Sequence, residues 1–243
     1  MHFWGITDAG CIRKQNQDTY MMEQLDRNSV ICVVCDGMGG AKSGNVASSL
    51  AAEVFIQEVK RSYSHLMDRE KCDQMLRSAV KLANFTVFDQ SQQFEEFSGM
   101  GTTLVAVLVR GKKATVVNVG DSRAYAISQE GIYQLSTDHS VVQMMVDRGE
   151  LTPETAKSYP GKNLITRAVG TEPVVMCDVF HAEVAKGDYV LLCSDGLSNY
   201  CTNEVIAEYI GNYDADECAD RLISHVIEQK GNDNITLALI KDL

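Results

Sequence analysis

The sequence predicts an α+β fold with largely antiparallel sheets. Three observations carry this: strand-like runs cluster together, helix-like runs come in pairs, and the regular strand–helix alternation of a parallel sheet is missing. Apolar, β-branched runs at 30–35, 103–109, 114–119, 123–127, 189–193 and 235–240 have strand length and end in Gly, Asp or Asn. Between the first and second of them, residues 43–62 and 73–94 carry apolar residues at helical spacing, with Ser43 and Asp73 as candidate N-caps. The stretch "LVAVLVRGKKATVVNVGDSRAYAI" alternates strand and tight turn, which predicts a meander of antiparallel neighbours. Residues 137–165 hold two of the three prolines and start with a polar cap, so they predict a helical flap on the surface. Two further helices, "TNEVIAEYIG" and "DADECADRLISHVIEQKG", precede the last strand.

No linker, repeat or low-complexity tract divides the chain, so residues 1–243 are expected to form one domain. Asp and Glu outnumber Lys and Arg by 33 to 22, a net charge of −11, which argues against nucleic acid or an anionic membrane surface as partner. The first residues lack the basic start and apolar stretch of a secretion signal, and no window resembles a membrane span, so a soluble cytoplasmic protein is expected. The eight cysteines lie mostly in apolar segments and are expected as reduced thiols. Cys32 and Cys35 have the spacing of half a zinc site, but strand geometry points them to opposite faces, which favours buried small hydrophobes.

One oddity recurs along the strands. Apolar runs deliver an aspartate followed by a small or turn-forming residue: "VVCDGMGG" gives Asp36, "VVNVGDSRAY" gives Asp121, "VLLCSDGLSN" gives Asp195, and "GNDNITLALI" gives Asp233. A single such acid is usually a turn residue. Four of them at the ends of antiparallel strands would converge on one site, where their mutual repulsion calls for bound cations. Oxygen donors favour Mg²⁺ or Mn²⁺, and a pair of such ions is suited to phosphoryl transfer. The glycines after Asp36 and Asp195 allow close approach of the backbone, so the Gly37 carbonyl is a candidate ligand. Near the amino end, Asp18 adds an acid and Arg13 a fork-shaped cation able to grip a phosphate.

The ordered segments "TDAGCIRKQNQD", "CDGMGG", "GMGTTLVAVLV", "VGDSRAY", "TDHS", "TRAVG", "CSDGLSN" and "GNDNIT" resemble the metal-dependent type 2C (PPM) serine/threonine protein phosphatases, in their compact bacterial form, over nearly the whole chain. The resemblance implies a central β-sandwich of two antiparallel sheets flanked by pairs of helices, with the flap at 138–165. It implies that Asp36 bridges two catalytic Mg²⁺ or Mn²⁺ ions, that the Gly37 carbonyl binds one, and that Asp195 and Asp233 complete the other. Asp18 would act through coordinated water, Asp121 with Asp195 would hold a third ion, and Arg13 would grip the substrate phosphate. Ser194 and Asn234 would support the ligands. The implied reaction is direct in-line attack by a metal-bridging hydroxide on phosphoserine or phosphothreonine in proteins, with no covalent phosphoenzyme. Implied partners are phosphoproteins and a serine/threonine kinase whose action is reversed; a monomer is expected.

Two departures from the family pattern matter. Met38 stands where many members have a histidine proposed to protonate the leaving alkoxide, and a thioether has no proton to give. The expected proton source is therefore a metal-bound water, with His139 of "TDHS" as the competing candidate. Gln17 stands where many members have Glu, which should weaken the water network of one ion. Two other readings are open: a silent family member acting as a binding module, disfavoured because every core acid is present, and a phosphatase of small metabolites.

Overall fold

The structure, a computed structural model, describes residues 1–241, and for residues 40–42 the backbone alone; the last two residues of the expected domain lie outside the described residues. In chain order the elements are β1 (His2–Asp8), β2 (Asp18–Asp26), β3 (Ser29–Met38), α1 (Gly40–Ser62), α2 (Arg69–Gln93), β4 (Gly101–Thr102) and β5 (Leu104–Arg110). They continue with β6 (Lys113–Val119), β7 (Arg123–Ser128), β8 (Gly131–Gln134), α3 (Val141–Asp147), α4 (Pro153–Ala156) and β9 (Asp178–Glu183). The chain closes with β10 (Tyr189–Cys193), α5 (Asp195–Ser198), α6 (Asn203–Asn212), α7 (Ala215–Glu228) and β11 (Ile235–Lys241).

Two antiparallel sheets face each other. One runs β1-β11-β10-β7-β8 and the other β2-β3-β5-β6-β9, with β4 paired to the end of β3. Strand alternation sorts each strand's apolar residues to two faces. Val30, Cys32 and Val34 of β3 meet Val190, Leu192, Ala238 and Ile240 of the other sheet in the sandwich interior. The opposite face of β3, Ile31, Val33 and Cys35, packs under Phe55, Ile56, Leu76 and Val80 of α1 and α2. The outer face of the first sheet, including Leu191 and Leu237, is covered by α5, α6 and α7 through Leu197, Ile206 and Leu222. Helices therefore cover both outer sheet faces, as expected. All eight cysteines are free, and Cys32 and Cys35 are buried on the two faces of β3 as strand geometry requires.

Four details differ from the sequence expectation. The helices begin earlier: α2 is capped by the Asp68 side chain, which accepts from the Lys71 N–H, while Asp73 lies inside the helix and binds His181. The first helix likewise starts at Gly40 after Gly39, so Ser43 is in its first turn rather than at its cap. The meander breaks at Gly120–Asp121: β5 and β6 pair in one sheet, but β7 pairs with β10 and β8 in the other. Gly120 makes this crossing with φ 104°, and a Cβ there would lie 2.6 Å from Thr103 Cγ2, so a side chain is excluded on both counts. Finally β1, β2, β8 and β9 lack long apolar runs because they lie at or next to sheet edges and are mostly half-buried, which leaves room for polar residues at positions an interior strand fills with Val or Leu.

The flap is two short helices, α3 and α4, whose base is closed by a backbone bridge between Ser140 and Ile165. Among the described residues no helix is long and apolar enough to cross a membrane.

Candidate metal centre

At one end of the sandwich, strand ends from both sheets deliver their acids into the gap between the sheets. Asp36 sits near the end of β3 and is the direct antiparallel partner of Asp18 at the start of β2. Asp195 follows β10 at the first turn of α5, Asp233 precedes β11, and Asp121 occupies the crossing turn after β6. Antiparallel pairing is what brings them together: β3 runs toward this end, while β2 and β11 run away from it and so begin there.

Their charges act on one another. Burial raises the Asp36 carboxyl well above the usual range, and Asp18, Asp195, Asp121 and Asp233 raise it further. Burial also lifts Asp18 to about 6, against hydrogen bonds from Ser194 and Thr236 that favour its charged form. Asp121 is lifted to about 7, by burial and then by Asp195 and Asp138. Asp195 is raised by burial and by Asp233, and hydrogen bonds from Asp36 and Asn199 offset part of this. Such a cluster is relieved either by protons or by cations.

Ser194 and Asn234 make hydrogen bonds that the motifs did not specify. Ser194 Oγ donates to Asp18 Oδ2 at 2.7 Å and accepts from the Thr236 N–H at 3.0 Å, so it fixes Asp18 against β11. Asn234 accepts from the Gln17 N–H at 2.9 Å and donates to the Ala9 and Gln15 carbonyls at 3.0 Å. It therefore pins the amino-terminal loop that carries Arg13. Arg13 Nη2 donates to Asp233 Oδ2 at 2.9 Å, with its side chain 53% exposed at the mouth of the site. Gly37 lies against Gly44 and Gln17, where a Cβ would approach the Gly44 carbonyl to 2.1 Å.

Sequence reading missed three contributors that lie within the motifs themselves. Thr103 bonds Asp36 on both backbone groups, donating N–H to the Asp36 carbonyl at 2.9 Å and accepting the Asp36 N–H on Oγ1 at 2.9 Å. Ser122 then shares a hydroxyl hydrogen bond of 2.7 Å with Thr103, which ties β3 to the crossing turn. Arg123, two residues after Asp121, makes a forked pair with Asp138 at 2.7–3.1 Å. Their signal was only a hydroxyl or a charge next to a turn, which many surface positions share.

His139 does not face this centre as a proton donor. It is buried, its Nδ1 accepts from the Gly120 N–H at 3.1 Å, and its Nε2 lies 3.2 Å from Asp178 Oδ2. Acceptance at Nδ1 places the neutral ring's hydrogen on Nε2, beside Asp178 Oδ2 at 3.2 Å and with Arg167 Nη1 at 3.1 Å from the same nitrogen. The ring thus holds the crossing turn next to Asp121.

The donors fit a hard divalent cation: they are all oxygen, they repel one another, and the buried Asp18 Oδ1 has no hydrogen-bond partner. Among the described residues no three acidic, His or Cys groups are already closed into a single ligand cage, and Asp233 is turned to Arg13. Mg²⁺ suits such an open set because it keeps several of its own waters.

The sequence matches the family described as Protein phosphatase 2C over residues 13–236. It is 34% identical over 242 residues to the serine/threonine phosphatase stp of Listeria monocytogenes, covering 99% of this chain and 96% of that one. The fold superposes on serine/threonine phosphatase Stp1 from Staphylococcus aureus with a TM-score of 0.90 and 35% identity, over 98% of this chain and 93% of that one. It also superposes on the catalytic domain of serine threonine protein phosphatase PstP, solved with two manganese ions, with a TM-score of 0.84 and 31% identity over 98% and 97% of the two chains. Family match and fold together define a metal-dependent phosphatase. The chain belongs to the protein phosphatase 2C family.

Proposed function

We propose that this chain removes the phosphoryl group from phosphoserine and phosphothreonine side chains of proteins, acting as a single cytoplasmic, monomeric catalytic unit that opposes a serine/threonine kinase. The observation that carries the proposal is the meeting of Asp18, Asp36, Asp121, Asp195 and Asp233, in which the other four all disfavour the charged form of Asp36, with Arg13 at the rim. Asp36, the Gly37 carbonyl, Asp195 and Asp233 would hold two Mg²⁺ or Mn²⁺ ions, Asp18 would act through water, and Asp121 with Asp195 would hold a third ion. Bound there, the cations supply charge to the phosphoryl oxygens and make water a stronger nucleophile.

The chain's own residues do the rest. Arg13 is exposed and fork-shaped, so it can exchange one carboxylate oxygen of Asp233 for two oxygens of a phosphate dianion. Thr103 and Ser122 hold Asp36 and the crossing turn at fixed separation. Neither Met38 nor the engaged ring of His139 supplies a proton, so the leaving alkoxide takes its proton from water in the site.

Substrate class and the role of Arg13 are tested together by comparing a phosphothreonine peptide with a small ester such as glycerol phosphate. The peptide is expected to show the higher kcat/KM, and Arg13→Ala to raise KM roughly tenfold or more for both, with kcat less affected. Faster turnover of the small ester would move the substrate class to metabolites, and an unchanged KM would remove Arg13 from phosphate binding.

A further inference from the structure

The segment leading into β9 is apolar on both faces. Val175 and Cys177 are 8% and 6% exposed, and their neighbours Val174 and Met176 are 76% and 73% exposed. The alternation is that of an extended segment with one face in the core. Its outer face, where polar residues are the ordinary choice, carries two large apolar side chains instead.

Nor is this segment loosely attached. Thr102 of β4 exchanges both backbone hydrogen bonds with Val169, at 3.0 and 2.8 Å. The buried amide of Asn84 on α2 accepts from the Gly170 N–H at 2.8 Å and donates to the Glu172 carbonyl at 3.0 Å. Arg77, also on α2, donates to the Cys177 carbonyl at 2.6 Å. Three anchors therefore hold a backbone that keeps Val174 and Met176 in water, which is a preformed surface rather than a mobile loop.

These side chains form part of the wall of a groove of about 390 Å³, lined also by Met38, Ile165 and Arg167. Met38 joins it to the metal centre. Along β3 the exposure of Asp36, Gly37 and Met38 alternates half-buried, buried, half-buried, so Met38 shares the face of Asp36 and lies about 7 Å farther along. An extended peptide advances about 3.3–3.6 Å per residue. A chain presenting its phosphoryl group at Asp36 therefore lays a residue one or two positions away over Met38 and into the groove. Arg167 is paired with Asp178 at 3.0 Å, and Glu172 lies on the rim, so the groove carries no net positive charge to select an acidic side chain.

We infer that this groove is a specificity subsite that takes an apolar side chain of the substrate protein, one or two residues from the phosphorylated residue. The inference rests on the phosphoprotein reading of the metal centre. The test compares two phosphothreonine peptides that differ only in carrying Leu or Ser at the two positions on each side, together with p-nitrophenyl phosphate. Wild type is expected to favour the Leu peptide about tenfold in kcat/KM, the discrimination of one partly buried apolar side chain. The exposed double variant V174S/M176S is expected to reduce this preference to about twofold or less, through the KM of the Leu peptide, without changing p-nitrophenyl phosphate turnover. Equal rates on the two peptides in wild type, or an undiminished preference in the variant, would overturn the subsite while leaving the phosphatase reading intact. Sedimentation of both proteins identifies the other occupant: self-association lost in the variant would assign the face to a second copy of the chain and overturn the proposal. No hydrolysis of either peptide alongside p-nitrophenyl phosphate turnover would overturn the phosphoprotein reading and the subsite with it.

Discussion

Asp36→Asn is expected to lower phosphopeptide hydrolysis by about 10³-fold or more while raising, not lowering, the melting temperature of the metal-free protein. The two halves have one cause. Asp36 is the carboxylate on which the other four act, and its charged form is disfavoured first by burial and then by each of them. An amide of the same shape keeps the backbone bonds to Thr103, because these use the Asp36 main chain. It removes the charge with which Asp36 would hold a cation, an electrostatic loss of the size seen when one group that stabilises developing charge is deleted. Steady-state kinetics and a thermal melt on the same preparation check both. Activity within about tenfold of wild type would remove Asp36 from the centre of the site, and a lowered melting temperature would mean that its charge stabilises the fold.

The second large effect is the pH dependence of stability. Burial raises Asp18 to about 6 and Asp121 to about 7 in the folded chain, whereas an unfolded aspartate titrates near 4. Between about pH 4 and pH 7 the folded state therefore binds more protons than the unfolded state, and stability falls as pH rises through that window. For Asp18 alone this is on the order of 3 kcal/mol. In the metal-free protein the melting temperature should fall by several degrees from pH 5 to pH 7.5, and Mn²⁺ should restore more at pH 7.5 than at pH 5. Asp18→Asn should flatten the metal-free pH profile, because it retains a polar partner for Ser194 without the buried charge. A metal-free melting temperature that rises steadily from pH 5 to pH 7.5 would contradict the reading.

The residues that the sequence made legible are those whose type is costly anywhere else. Apolar strands ending in Asp36, Asp121, Asp195 and Asp233 stood out because carboxylates at the mouths of buried strands are unusual in number, and the structure brings them together with Asp18. Interior strands were legible for the same reason, since β3, β5, β6, β10 and β11 are nearly continuous apolar runs. What remained hidden depends on contacts between distant segments. That Gly120 carries the chain from one sheet to the other follows from how Thr103 crowds it, not from a turn motif. That His139 is a support rather than an acid follows from Asp178 and the Gly120 N–H, which lie 39 and 19 residues away. The groove beside Met38 was invisible because Val174 and Met176 belong to no strand or helix, and only their exposure on an anchored backbone marks them.

The acid cluster is expected to work through cations. The direct measurement is phosphate release from a phosphothreonine peptide by the wild-type chain, first in excess chelator and then after dialysis into Mn²⁺. Hydrolysis is expected to fall to background with chelator and to return with Mn²⁺; hydrolysis undiminished in chelator would contradict the assignment of Asp36, Asp195 and Asp233 as a metal centre.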